Sequence, residues 1–212
     1  MNTHRKLIRR TVLVAAATGV AALVLAACGG SAGGHDMGSM GTGSSAPATS
    51  APATAGDHNA ADVSFSKEMI QHHRQAVEMA ELADTRASSA EAKDLAAKIK
   101  GAQDPEIKTM SGWLTSWGEE VPADMTGMGH DMSNGMPGSM SKADMDELMQ
   151  AKGAEFDKMF AEMMIKHHEG AIEMAKKLKA EGKYGPALKM ADDVIKAQTA
   201  EIEQMNKMLG KS

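Results

Sequence analysis

Two stretches of the chain place apolar side chains at helical spacing, and they do so in the same order. From residue 62 the chain reads DVSFSKEMIQHHRQAVEMA, and from residue 157 it reads DKMFAEMMIKHHEGAIEMA. On a helical wheel with Phe65 at zero, Met69, His73, Ala76 and Ala80 fall within about 80° of one another, with His72 and Met79 at one edge. Ten of the nineteen aligned positions are identical, among them Phe65/Phe160, Met69/Met164, Ile70/Ile165, His72/His167, His73/His168, Glu78/Glu173 and Met79/Met174. The offset of 95 persists into the next segment, where Ala102, Gln103, Glu106, Ile107, Met110 and Leu114 meet Ala197, Gln198, Glu201, Ile202, Met205 and Leu209. In that segment Ala191, Val194, Ile195, Gln198, Ile202, Met205 and Leu209 share one face, and a glutamine in such a stripe needs a partner.

This periodicity predicts helices over residues 62–83, 89–117, 142–179 and 185–209. Connections within each copy are short, whereas the one between copies is long and rich in Gly and Met. The expected fold is all-α: a ferritin-like four-helix bundle built from two duplicated helical hairpins joined by a long crossover. Repeat one spans 62–117, the linker 118–141 and repeat two 142–210, within a domain of 61–212.

Composition changes the picture mainly at the N-terminus. Arg5, Lys6, Arg9 and Arg10 precede an uncharged apolar run from Val12 to Ala27, which reads as an export signal over residues 1–27. It ends Leu25, Ala26, Ala27, Cys28, Gly29, which resembles a bacterial lipobox, so Cys28 is expected to carry lipid and anchor the chain to the cell membrane, facing the periplasm or exterior. Residues 28–60 are mostly Gly, Ser, Ala, Pro and Thr and read as a tether with a reach of roughly 30 Å. Removing the signal takes away four basic and no acidic residues, moving the net charge from -5 to -9. An acidic chain with so few aromatics is no nucleic-acid binder.

Cys28 is the only cysteine, so metal chemistry must use imidazole, thioether or carboxylate. The leading candidates are the pairs His72/His73 and His167/His168, each with a methionine three before and seven after the first histidine. The alternative is packing histidines hydrogen-bonded to Glu or Gln. Twenty methionines are present. Met110, Met190 and Met205 fit core packing. His35, Met37 and Met40, with Met125, Met128, His130, Met132, Met136 and Met140, stand among residues that build no core and suggest an auxiliary soft-metal trap. Glu78, Glu173, Gln103, Gln198, Glu106 and Glu201 are candidates for orienting the imidazoles. The Glu-x-x-His signature of di-iron bundles does not occur, and no nucleophile elbow is present.

The run Phe-x-x-x-Met-Ile-x-His-His-x-x-Ala-[Val/Ile]-Glu-Met-Ala, followed by Gln-x-x-Glu-Ile-x-x-Met, resembles an exported bacterial family catalogued as a domain of unknown function. Its better characterised relatives include CopM-like periplasmic copper-binding proteins. The resemblance covers residues 62–209 in both repeats and implies a ferritin-like bundle that binds copper in copper tolerance. It carries over to His72, His73, Met69, Met79, His167, His168, Met164 and Met174 as ligands. The resulting expectation is an envelope lipoprotein, not an enzyme. It would bind Cu(I) in preference, with Cu(II) or Ag(I) as alternatives, for buffering, sequestration or relay to a copper-transfer protein, as a monomer or homo-oligomer. The rival readings are a ferritin-like metal-dependent oxidase and a metal-independent structural module.

Overall fold

The computed structural model describes residues 56–124 and 135–211, and among these it contains five helices and no strand. They are α1 (Ala60–Arg86), α2 (Ala90–Trp117), α3 (Lys142–Gln150), α4 (Ala154–Glu181) and α5 (Gly185–Met208). Each hairpin packs on itself, α1 on α2 and α4 on α5, and α1 against α4 joins the two repeats into an all-α bundle.

Local chemistry sets the boundaries. Asn59 accepts from the N–H groups of Ala61 and Asp62 while Asp62 accepts from the Asn59 N–H, a reciprocal cap on α1. Ser89 caps α2, and Gly118 ends it at φ 75°, the left-handed conformation that glycine adopts at least cost. The stretch 142–179, expected as one helix, is divided. Gly153 sits at φ 66° and donates its N–H to the Arg86 carbonyl at 2.8 Å, so the backbone leaves helical geometry to dock on the α1–α2 turn.

The aspartate that opens each nineteen-residue copy locks the other hairpin. The Asp62 carboxylate accepts from the N–H groups of Lys183 and Tyr184 in the α4–α5 turn. Asp157 reciprocates on the α1–α2 turn, accepting from Ser88 N–H, Ser88 Oγ and Ser89 N–H. Partial burial raises the Asp157 pKa, but these hydrogen bonds outweigh it and hold the carboxyl below its usual value.

The core is split into two apolar clusters. One gathers Met79 and Ala83 of α1, Leu95 and Ile99 of α2, Phe156, Phe160 and Met164 of α4, and Met205 of α5. The other gathers Phe65, Met69 and Ile70 of α1, Met110 and Leu114 of α2, Met174 and Leu178 of α4, and Val194 of α5. Because α1 and α4 each contribute their two halves to different clusters, both histidine pairs fall between the clusters. Met140 corrects one expectation. It is 1% exposed and belongs to the first cluster, so this linker methionine is core. Among the described residues no helix is long and apolar enough to cross a membrane.

Candidate metal centre

Four histidines lie fully buried in the layer between the apolar clusters: His72, His73, His167 and His168. Adjacent helical positions point about 100° apart, so the two rings of each pair face different neighbours. His72 faces α4, where its ring meets that of His167 with centroids 3.7 Å apart. His73 faces α2, where Nε2 meets Glu106 Oε2 at 2.7 Å, and His168 meets Glu201 Oε2 on α5, also at 2.7 Å. These two contacts are the same register in the two repeats. The wheel position of His72 at the edge of the apolar face is therefore no sign of exposure; that edge is the α1–α4 seam.

Hydrogen-bond partners show which ring nitrogen donates. The Pro137 carbonyl, which can only accept, takes the Nε2–H of His72 at 3.0 Å. Glu106 Oε2 and Glu201 Oε2 take the Nε2–H of His73 and His168 in the same way. Nδ1 of all three rings has no hydrogen-bond partner, and His72, held neutral by burial, presents a lone pair there; His167 has no partner at either nitrogen. Gln103 Oε1 and Gln198 Oε1 are also buried without partners, so the partner expected for Gln198 is not supplied at that oxygen. A buried polar atom left unpaired costs roughly 1–3 kcal/mol.

Burial is the first cause of the altered acidity here, with neighbouring histidines second. Desolvation and the His73 charge push the His72 pKa from 6.5 down to about 3. Desolvation and the His72 charge push His167 well below its ordinary value. Both rings are neutral at physiological pH, the form that ligates metal. Among the described residues no three His, Cys, Asp or Glu side chains stand together as a ready metal cage. Further donors would therefore be thioethers. Met69 and Met174 share the cluster on one side of the histidine layer, and Met79 and Met164 share the cluster on the other. All four are buried, with Met174 the most exposed at 6%.

The remaining sequence candidates separate. Glu106 and Glu201 reach the histidines, whereas Glu173 is exposed and Glu78 half-buried. Met136 lines a groove of about 890 Å³ between the start of α1 and the end of α4, together with Glu68, Gln71, Pro137 and Met174. Cys28, His35, Met37, Met40, Met125, Met128, His130 and Met132 lie outside the described residues. Sequence reading missed Pro137, since every residue carries a carbonyl and nothing in the pattern marks this one as an acceptor.

A family model described as "Domain of unknown function (DUF305)" matches residues 62–209. No curated protein sequence matches the chain. Among solved structures, a DUF305 protein from Streptomyces coelicolor is 31% identical with a TM-score of 0.64, over 71% of this chain and 93% of that one. CopM in its Cu(II)-bound form is 38% identical with a TM-score of 0.60, over 69% and 94%. CopM in its Cu(I)-bound form is 36% identical with a TM-score of 0.58, over 69% and 94%.

Proposed function

The chain belongs to the DUF305 family, and from that premise we propose that it binds copper, Cu(I) in preference, through the buried histidine layer and its flanking methionines. The observation that carries this reading is the set of buried Nδ1 atoms of His72, His73 and His168, none with a hydrogen-bond partner, each on a ring whose Nε2–H is already held by an acceptor. Metal-ligating histidines are usually oriented in this way through their second nitrogen. Likeness to CopM, solved with Cu(I) and Cu(II), supports the choice of metal. Softness supports the oxidation state, since neutral imidazole and thioether suit Cu(I) and offer nothing to Mg or Ca. The faces of His72 and His167 are in contact, so an ion would sit at ring edges, beside the methionines.

In this reading the protein is exported and lipid-anchored at Cys28, buffers or relays copper at the cell envelope, and catalyses nothing. Met/His-rich linker segments would capture the ion loosely before the histidine layer holds it. The thioether role is tested by changing Met69, Met79, Met164 and Met174 to Leu together. Each swap conserves volume and costs less than about 1.5 kcal/mol, so the variant is expected to stay helical. Its Cu(I) affinity should fall tenfold or more, about 1.4 kcal/mol, and sulfur should disappear from the copper X-ray absorption spectrum. Unchanged affinity and an unchanged sulfur signal would remove the methionines from the site. Oxygen uptake by the Cu(I)-loaded protein above that of free Cu(I) would favour the oxidase reading instead.

A further inference from the structure

The end of the crossover, Pro137 to Met140, crosses the histidine layer as a strap, and both repeats are shaped to receive it. Gln75 of α1 grips the backbone of Met140 from two sides, Met140 N–H donating to Oε1 at 2.8 Å and Nε2 donating to the Met140 carbonyl at 2.9 Å. On α4 the strap passes so close that a Cβ at Gly170 would lie 2.0 Å from the Pro137 oxygen and 2.7 Å from Gly138 Cα. Gly138 itself has φ +74°, and a Cβ there would meet the Lys166 carbonyl oxygen at 2.5 Å. Gln75 and Gly170 are the same register of the two repeats, 95 apart, in a segment where ten of nineteen positions are identical. At that one register the copies differ so that one holds the strap and the other makes room for it.

The strap also breaks the symmetry of the layer. Its Pro137 carbonyl takes the Nε2–H of His72, while the equivalent nitrogen of His167 has no partner. The groove reaches the strap from outside, bordered by Met136 and Pro137 on one side and by Glu68, Glu173 and Glu181 with Lys67 and Lys177 on the others. Carboxylates outnumber ammonium groups at this mouth, which favours a cation over an anion.

We propose that the strap from Pro137 to Met140 is a latch over the histidine layer. Seated, it shields His72 and His167 and orients the His72 ring; lifted, it opens the layer to the groove. That the traffic it controls is copper rests on the function proposed above, but the latch itself is a property of the apo chain.

Gly170→Ala tests it. Alanine favours the helix, touches no candidate ligand and leaves no place for Pro137, so the fold should persist with the strap displaced. Gln75→Ala removes the grip from the opposite side. Three readouts are taken on the full-length protein: hydrogen exchange at the Met140 amide, carbethoxylation of His72 and His167 by diethyl pyrocarbonate, and release of Cu(I) to a chelator. Both variants are expected to lose Met140 protection and to react at His72 and His167 about tenfold faster, with His58 unchanged, and to release Cu(I) about tenfold faster. Lost Met140 protection with unaltered His72 and His167 reactivity would overturn the latch, as would retained protection in Gly170→Ala. Faster carbethoxylation in the variants, with no Cu(I) taken up by the unmodified protein, would support the latch and overturn the copper reading alone.

Discussion

His167→Leu is expected to make the metal-free protein more stable and the copper-loaded protein less so. The His167 ring is fully buried with neither nitrogen partnered, against a neighbour, His72, whose ring it touches. Leucine fills a similar volume and removes the unpaired polar atoms, a gain of about 1–3 kcal/mol. Replacing buried polar groups with packed apolar ones often stabilises a protein. In a domain of this size that gain corresponds to a rise in melting temperature of roughly 2–10 °C. The copper-induced rise should shrink in the same variant, because a ligand stabilises only as far as it binds the folded state. Calorimetry with and without Cu(I) reads both. A lower melting temperature in the apo variant with the copper-induced rise intact would make His167 a packing residue.

The second large effect is on pH. Free histidine in the unfolded chain titrates near 6.5, whereas burial holds His72 down at about 3 and His167 well below its usual value. Above pH 6.5 both states carry neutral rings and the shift costs nothing. As pH falls below 6.5 the unfolded chain takes up protons that the folded layer refuses, so stability is lost progressively toward pH 3. For His72 alone the loss between pH 7 and pH 5 is about 2 kcal/mol, and His167 adds to it with the same sign. That interval lies above the normal carboxylate range, so the histidines dominate it. Urea denaturation midpoints at pH 7 and pH 5, for the protein and for His167→Leu, should show a smaller fall in the variant. Equal falls would place the titration elsewhere.

Much of the architecture was legible because duplication repeats its own evidence. The 95-residue register located both hairpins, both histidine pairs and the carboxylates Glu106 and Glu201 that meet the rings. Periodicity failed where the backbone acts for tertiary reasons. The break at Gly153 answers a carbonyl on another helix turn, and a single glycine in an amphipathic run does not announce that. Met140 looked like linker because its neighbours are Gly, Ser and Pro, yet Gln75 draws it into the core from 65 positions away. The reciprocal locks of Asp62 and Asp157 were equally hidden, since each reaches a turn in the other repeat. What the sequence could show was which side chains recur; which nitrogen is left bare depends on partners that no local pattern encodes.

The copper reading stands or falls on whether the duplicated histidines hold the ion. An anaerobic Cu(I) competition titration against a chromogenic chelator tests it, on residues 29–212 and on the same chain with His72, His73, His167 and His168 all changed to Ala. The variant is expected to remain helical and to lose its tightest sites, retaining only weaker binding. Equal tight binding by both chains would contradict it and leave the histidine layer a packing feature; no binding by either would dismiss copper altogether.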